Sequence, residues 1–430
     1  MKIAIIGTSN TVIGMQGYVK ALKLYHTVTC ITAGRSPFYF HVQTILENRA
    51  LLEEQDLIIV DHYVNDGNFY DSAAGPSYKS IKSEFYDLLS TLNTHVVNML
   101  FPVRDLSISA AFQSSYAQAK HMSQARGISV LDLNQIGFMQ SHFRDDIHVF
   151  PEISFMVGLF LARQLASASL GPKPNGGRLE ICRFRHLPVE EIFSPDQISA
   201  FSNRLMTRNY GDLQRPLTID AGQSERLIAI SYVRMKERPE TSGISVNGQN
   251  RAMGNFGYFV ENVDIATAGP ITIAPIASDV KTCPEFMRRG VGIAPFTHCY
   301  LSDLLFYDEQ VEPIYAAASR TPIDLSMHGL LDAVQAMCPS KKRLSSATVD
   351  LLRDTAVKVE ASNLLAASEL MDLALQSRPD GSFLIAKSRE FRNRLTLAAP
   401  IHPPKPLPAK QRPGRLGWLR RVLRNKLRIS

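Results

Sequence analysis

The first 170 residues of the chain alternate short apolar runs, rich in β-branched side chains, with longer amphipathic stretches. The apolar runs are Ile3–Ile6, Thr27–Ile31, Leu57–Val60, Thr94–Leu100 and Ser129–Leu133. Helical spacing covers Gly17–Lys23, Phe40–Glu54, Tyr78–Asn93, Ser109–Arg126 and Glu152 to about Ser167. Because strands that alternate with helices are typical of βαβ units, this region is predicted to form a parallel α/β sheet.

The remainder of the chain has a different organisation. After a Pro/Gly linker at 172–177, short β-type runs punctuated by Gly, Asn, Ser and Pro predict an antiparallel, sandwich-like region over 178–313. Those runs are Leu227–Met235, Gly257–Val263, Ile271–Ile276 and Gly292–Phe296. Residues 323–399 return to helical spacing, and 400–430 combine a proline-rich linker with a basic amphipathic tail. We therefore expect four segments, 1–170, 178–313, 323–399 and 400–430.

The positive charge of the chain is concentrated in its last residues. The net charge is +7, from 47 Lys and Arg against 40 Asp and Glu, but nine of these bases and none of the acids follow Pro404. Without them, 38 bases face 40 acids, so the body has no basic surface that would favour nucleic acid. The tail also carries apolar residues and the only tryptophan, Trp418, and suits an anionic membrane surface, a docking partner or nonspecific RNA.

Cysteine usage and the N-terminus both favour a cytoplasmic protein, with a place at the inner membrane face as an option for the tail. The five cysteines form no C-x-x-C pair, which argues against a disulfide framework and against a zinc site. The N-terminal apolar run ends at Ile6, which is too short for the core of an export signal.

Polar residues follow several of the predicted strands of the α/β region. Ser9 comes directly after the first strand, Gly34 after the second and Asn65 after the third, while Asp145 and His148 lie between the fifth strand and the closing helix. Since the carboxyl ends of parallel strands meet at one edge of the sheet, these residues are predicted to converge on one cleft.

The chemistry of these residues is complementary. His148 can take the proton of the Ser9 hydroxyl, and Asp145, three residues earlier, can orient the imidazole. The backbone N–H groups of Ser9 and Gly34 and the side-chain amide of Asn65 are suitable donors for an oxyanion. This combination predicts serine-dependent acyl transfer through an acyl-serine, with no cofactor and no metal.

Taken in chain order, G-x-S, a later Gly, N-D and D-x-x-H resemble the motifs of the SGNH (GDSL-like) hydrolase superfamily over roughly residues 1–168. The resemblance implies that the α/β sheet is flavodoxin-like, the fold of this superfamily. It also implies Ser9, Gly34, Asn65 and His148 as the four hallmark residues, with Asp145 completing the triad. It further implies an esterase or O-acyltransferase acting on a carbohydrate or glycan ester. Thr8 and Tyr63 depart from the pattern, which usually has Asp and Gly at these positions.

Each of these motifs also has a purely structural interpretation. Ser9 could cap a helix, Asn65 could belong to a turn, and Asp145 with His148 could cap a helix on a solvated loop. Asp146 is the rival of Asp145. The alternative function is a weak or inactive SGNH-fold protein that binds carbohydrate or serves as a scaffold in surface-polysaccharide biosynthesis.

Other candidate sites are weaker. His62 is expected to pack or to contact substrate, because no metal-ligand partner has a suitable spacing. The glycines near the N-terminus lack the G-x-G turn of a dinucleotide site, and there is no Walker lysine. A set of aromatic residues in the middle region could form core or a carbohydrate-binding face: Tyr232, Phe256, Tyr258, Phe259 and Tyr300.

Overall fold

A computed structural model describes residues 1–67, 70, 75–106, 109–167, 170–203, 206–235, 243–252, 257–276, 299–325, 327, 329–337, 346–378 and 381–398. The chain divides into two compact units, Met1–Pro339 and Ser340–Ser430. Three predicted features lie outside the described residues: the strand Gly292–Phe296, Phe256 and the tail from Pro400 onward. The four predicted segments remain predictions.

The N-terminal region is built on a five-stranded, wholly parallel sheet with strand order β2-β1-β3-β4-β5. Its strands are β1 (Lys2–Gly7), β2 (Thr27–Thr32), β3 (Leu57–Asp61), β4 (His95–Leu100) and β5 (Ser129–Asp132). Every residue of β3 and β4 is buried, as expected for central strands covered by helices on both faces. The predicted flavodoxin-like sheet is confirmed.

Among the described residues, seven helices accompany this sheet: α1 (Ser9–Gly14), α2 (Tyr18–Leu22), α3 (Tyr39–Glu53), α4 (Tyr63–Asp66), α5 (Gly75–Ser90), α6 (Ala110–Ala125) and α7 (Pro151–Ser167). The short helices α1 and α4 were not predicted, because a single turn has too few residues to display helical periodicity. The N-terminus of α6 is capped by the Ser109 side chain, which accepts from Phe112 N–H. Helix α7 starts at Pro151, a residue tolerated in the first helical turn.

The second region is antiparallel. A six-stranded sheet has the order β14-β11-β16-β9-β8, with β7 also paired to β16, and a four-stranded sheet has the order β10-β15-β12-β13. β17 pairs with β6 in a separate ribbon. The elements are β6 (Arg178–Ile181), β7 (Phe184–Leu187), α8 (Val189–Ile192), β8 (Ile198–Ser202), β9 (Thr207–Leu213), β10 (Leu217–Ile219), β11 (Glu225–Arg234), β12 (Gly243–Val246), β13 (Gln249–Ala252), β14 (Gly257–Ala266), β15 (Ile271–Pro275), β16 (Cys299–Asp308) and β17 (Ile314–Ala316).

The larger antiparallel sheet is covered on both faces. Ile230 on β11 packs in one hydrophobic cluster with Ile244 and Ile273 of the four-stranded sheet, which gives the predicted sandwich. Ile228 and Val233, also on β11, belong instead to the core of the α/β region. From Ala229 onward the side chains of β11 alternate between the two faces, and the register shift between Leu227 and Ala229 turns Ile228 to the same face as Ala229. β11 therefore joins the sandwich to the parallel sheet.

The aromatic residues of the sandwich belong mainly to its core. Tyr232, Tyr258 and Tyr300 are almost completely buried, which favours the core interpretation over a carbohydrate-binding face.

Helix α9 (Leu330–Met337) completes the first unit, where Leu330 and Val334 join its core. The second unit contains α10 (Ser346–Val359), α11 (Leu364–Ser377) and α12 (Ser382–Ala398), with Ala356, Met371 and Phe391 at its centre. None of the helices among the described residues is long and apolar enough to span a membrane.

Candidate active site

The predicted site residues follow three neighbouring strands that end at the same level. Gly7, the last residue of β1, is aligned with Thr32 on β2 and with Asp61 on β3. The segments after these strands carry Ser9, Gly34 and Asn65. Because β1 lies between β2 and β3, at the switch point of the sheet, the fold places these three residues around one edge.

Ser9 is the first residue of α1, at the end of a tight turn. A Cβ atom on Gly7 would lie 1.9 Å from Thr11 Oγ1, so the turn from β1 into α1 requires glycine at this position. The Ser9 side chain is almost buried, and its hydroxyl donates to Asn65 Oδ1 at 3.1 Å. Ser9 is therefore held against α4.

Asp61, at the end of β3, supports the turn that presents Ser9. Its Oδ2 accepts from the N–H of Thr8 at 3.4 Å, from the N–H of Thr11 at 3.1 Å and from Thr11 Oγ1 at 2.9 Å. Burial raises the pKa of this carboxyl to about 7, against the lowering effect of these hydrogen bonds. Thr8 precedes Ser9 at the position where the motif usually has Asp. The carboxyl group beside Thr8 is that of Asp61, on the neighbouring strand β3.

The loop after β2 is tied to α4. Asn65 Nδ2 donates to the carbonyl of Ser36 at 3.3 Å, and the N–H of Phe38 donates to Asp66 Oδ1 at 2.9 Å. A Cβ atom on Gly34 would meet only Val12, at 3.9 Å, so the backbone of Gly34 has open space beside it. The next residue, Arg35, has φ +61°, a left-handed conformation that is uncommon outside glycine and occurs often at functional sites.

The orientation of Asn65 differs from that of an oxyanion donor. Its Oδ1 faces the Ser9 hydroxyl, while its Nδ2 is held by the Ser36 carbonyl. Donation to an oxyanion on a Ser9 adduct requires the amide group to reorient.

Asp145 and His148 form a hydrogen-bonded pair on a short hairpin, which is closed by the Phe143–Val149 bridge. His148 Nδ1 lies 2.9 Å from both carboxylate oxygens of Asp145. The N–H groups of Ile147 and His148 each donate to Asp145 Oδ1 at 3.0 Å. Partial burial raises the pKa of Asp145, but the hydrogen bonds from the His148 ring and from the backbone outweigh it, and the pKa is lowered. Asp145 is thus a carboxylate that fixes the imidazole.

The rival acid, Asp146, faces elsewhere. It pairs with the Arg104 guanidinium, and its carbonyl accepts from Arg104 N–H at 2.8 Å. The structure therefore places Asp145, and not Asp146, on the imidazole of His148.

His148 Nε2 is buried and makes no hydrogen bond, which leaves the nitrogen that a general base would use without a partner. The hairpin immediately precedes α7, and α7 packs against α1 and α2. One link in that packing is Tyr18 N–H, which donates to Ser154 Oγ at 3.0 Å. Between the described residues Ser9 and His148 there is no hydrogen bond. The structure thus brings Asp145 to His148 and Ser9 to Asn65, but does not join the two pairs.

A buried polar cluster lies behind Asn65 and centres on Asp66. Besides Phe38 N–H, the carboxylate accepts from Tyr78 OH at 2.6 Å, from His62 Nδ1 at 2.6 Å and from Lys82 Nζ at 2.7 Å. Lys82, His62 and Asp66 are fully buried. Burial raises the pKa of Asp66, but the charge of Lys82 and the contact with His62 outweigh it and hold the pKa below its usual range. Asp66 therefore anchors both α4 and the Gly34 loop.

Neither Lys82, which pairs with Asp66, nor Ser36, whose carbonyl accepts from Asn65, was predicted from the sequence to belong to the site. A lysine on an amphipathic helix such as α5 is normally solvent-exposed, and nothing in the sequence around Lys82 indicates burial. His62 packs, which is one of its two predicted roles; its Nε2 lies 3.0 Å from Tyr86 OH. Tyr63, at the position usually occupied by glycine, is buried, and its hydroxyl donates to the Phe101 carbonyl.

Comparison with known proteins was made at three levels. No family model and no curated protein matches the chain significantly. Similar solved structures include the acetyl xylan esterase AlAXEase, with 14% identity over 39% of this chain and 98% of that protein and a TM-score of 0.32. A lipase/acylhydrolase from Enterococcus faecalis has 14% identity over 38% and 94%, with a TM-score of 0.31. A GDSL-like lipase from Bacteroides thetaiotaomicron has 14% identity over 34% and 79%, with a TM-score of 0.29.

These similar structures cover between 34% and 39% of this chain, at its N-terminal end. Identities near 14% and TM-scores near 0.3 leave the chemistry to be argued from the geometry of the site.

Proposed function

We propose that the α/β region catalyses serine-dependent acyl-ester chemistry, with Ser9 as nucleophile, His148 as general base and Asp145 as the residue that orients His148. One observation carries the proposal. Asp145 fixes one nitrogen of the imidazole, and the other nitrogen is buried without a partner. A histidine held in this way can serve as general base for the Ser9 hydroxyl, since α7, the helix that follows its hairpin, packs against α1.

The proposed reaction has two steps. The Ser9 hydroxyl leaves Asn65 Oδ1, gives its proton to His148 Nε2, and attacks the ester carbonyl. The N–H groups of Ser9 and Gly34 and the reoriented Asn65 amide stabilise the oxyanion, and His148 then protonates the leaving alcohol. In the second step water or a sugar hydroxyl attacks the acyl-serine, with His148 again as base. Water as the acceptor makes the protein an esterase, and a sugar hydroxyl makes it an acyltransferase.

The expected substrate is an O-acetyl or similar ester of a carbohydrate. The antiparallel sandwich supports a substrate larger than a simple ester, because it contacts the loop that carries Gly34. Val260 N–H on β14 donates to Ser36 Oγ at 3.4 Å, two residues after Gly34. The sandwich therefore supports the loop that carries the proposed oxyanion donor Gly34.

The second candidate function is that of a carbohydrate-binding or scaffold protein that has kept the fold but has weak or no catalytic activity. The observation in its favour is the bonding of Ser9 and Asn65, which engage each other and Ser36 instead of His148 and the oxyanion position.

The test compares hydrolysis of p-nitrophenyl acetate by the full chain and by Ser9→Ala, with Ser141→Ala, an exposed serine ahead of the hairpin, as the matched control. We expect Ser9→Ala to lower kcat by roughly 10⁴- to 10⁶-fold and Ser141→Ala to leave it unchanged. Equal activity in wild type and Ser9→Ala would rule out the nucleophile. Absence of activity in all forms, together with absence of fluorophosphonate labelling of the wild type, would favour the binding protein.

A further inference from the structure

Three side chains that could ligate a metal converge between the α/β region and the sandwich. Glu47 lies on α3, His186 on β7 and Asp303 on β16, and one ligand atom from each lies within 4.8 Å of the other two. The His186 side chain is only 8% exposed and that of Asp303 6%. The cluster contains none of the residues assigned to the acyl chemistry.

His186 Nε2 points to a missing partner. It lies 3.3 Å from Glu47 Oε1 and 3.8 Å from Asp303 Oδ1, yet it makes a hydrogen bond to neither and is buried. Ligands about 2.0–2.1 Å from a tetrahedral zinc ion lie about 3.3–3.4 Å from one another, so the separation from Glu47 matches that of a zinc site and the separation from Asp303 would have to shorten by about 0.4 Å. A buried imidazole nitrogen that faces two carboxylate oxygens without bonding to them is placed as a metal ligand would be.

The outer oxygens of both carboxylates are already engaged. Glu47 Oε2 accepts from Arg208 Nη1 at 2.6 Å. Asp303 Oδ2 accepts from Tyr258 OH at 3.2 Å and from Ser302 Oγ at 3.0 Å. Such contacts orient the inner oxygens, in the manner of the outer-sphere hydrogen bonds found around protein metal sites.

The charge of the cluster favours a cation. Two carboxylates face one guanidinium, so one negative charge is left over while His186 is neutral. A set with one imidazole and two carboxylates suits zinc and its neighbours among the transition metals better than calcium or magnesium, which prefer oxygen ligands alone.

We propose that Glu47 Oε1, His186 Nε2 and Asp303 Oδ1 bind one divalent transition-metal ion of the zinc class. Two of the three proposed ligands, Glu47 and Asp303, also line a cavity of about 370 Å³, together with Glu190 and Asn209, which gives an ion a path to the site. Because Glu47 belongs to the α/β region and the other two ligands to the sandwich, the ion links the two regions. The three ligands are far apart in the sequence, which explains why no metal-ligand spacing was visible.

The experiment uses full-length protein treated with a chelator and then titrated with Zn²⁺ and, separately, with Co²⁺. Wild type is expected to bind one equivalent of Zn²⁺, to melt at a higher temperature with the ion, and to give the visible absorption of four-coordinate Co²⁺. His186→Gln, Glu47→Gln and Asp303→Asn are each expected to weaken Zn²⁺ binding by about 100-fold or more.

The control is Glu190→Gln, which removes a carboxylate from the wall of the same cavity but not a proposed ligand; its affinity for Zn²⁺ is expected to equal that of wild type. Circular dichroism in the absence of metal shows whether each variant is folded, and only folded variants are compared. Zn²⁺ binding that His186→Gln leaves unchanged would place the ion elsewhere and overturn the proposal. Wild type that binds no Zn²⁺ would overturn it as well.

Discussion

Replacement of Lys82 by methionine tests whether the buried cluster around Asp66 holds the site together. Lys82 Nζ lies 2.7 Å from Asp66 Oδ2, and neither side chain has any exposed surface. Removal of one partner of a buried ion pair leaves an uncompensated charge, which typically costs about 3–5 kcal/mol. Asp66 keeps its hydrogen bonds to Tyr78, His62 and Phe38 N–H. We therefore expect the free energy of unfolding to fall by about 3 kcal/mol, the lower end of this range.

The loss is measured by urea unfolding followed by far-UV circular dichroism, since the only tryptophan, Trp418, belongs to the C-terminal tail. Lys79→Met is the matched control, because Lys79 is exposed on the same helix; its expected effect is within about 0.5 kcal/mol. The double variant Asp66→Asn/Lys82→Met removes both charges and is expected to recover most of the lost stability.

The response to pH provides a second check on Lys82→Met. Without the lysine charge, the pKa of Asp66 rises, so protonation at low pH removes the unpaired charge and the deficit of Lys82→Met shrinks. A loss of stability in Lys82→Met no larger than in Lys79→Met, or a double variant less stable than Lys82→Met alone, would contradict the role of Lys82 as the partner of Asp66.

Three further predictions concern the site. Asp145→Asn should lower kcat by about 10⁴-fold, with Asp146→Asn near wild type; a ranking in the opposite order in the same esterase assay would reverse the assignment of the acid. The pKa of Asp61 is raised to about 7. Between about pH 4 and pH 7 the folded protein therefore keeps a proton that the unfolded chain has released. Over this range the free energy of unfolding should fall by about 1.4 kcal/mol for each unit that the pH rises, compared with that of Asp61→Asn. Identical pH profiles of urea unfolding would contradict this. Gly34→Ala keeps the backbone N–H and has room for its methyl group, so it should keep the melting temperature; its methyl group would crowd an ester bound against Gly34 and lower kcat by up to about 10²-fold, and full activity would show that the ester does not lie against Gly34.

The parallel sheet could be predicted from the sequence because its strands are buried on both faces and appear as continuous apolar runs. β3 and β4 are examples, and their observed bounds differ from the predicted ones by one residue. β16 was missed, although it lies at the centre of the antiparallel sheet. Its sequence, Cys299–Asp308, contains Ser302 and Asp303 within a buried strand, and these polar residues interrupt the apolar pattern.

The candidate site could be predicted only as far as strand ends determine it. The motif spacing placed Ser9, Gly34 and Asn65 on one edge, because parallel strands in register end together. The orientation of the side chains and their hydrogen-bond partners could not be predicted from the motif. The direction of the Asn65 amide depends on the Ser36 carbonyl, and the partner of Asp146 is Arg104, which no local pattern pairs with it.

The sandwich contributes to the geometry of the site, which the motifs of the N-terminal region do not reveal. Hydrogen bonds run from Ser9 to Asn65, from Asn65 to the Ser36 carbonyl, and from Val260 N–H on β14 to the Ser36 hydroxyl. Ile228 and Val260 belong to the same hydrophobic core as the parallel sheet. A fragment ending at residue 170 would expose that core and remove the donor to Ser36, so loss of activity in such a fragment would not count against Ser9. The acyl chemistry has to be tested on the chain that contains both regions.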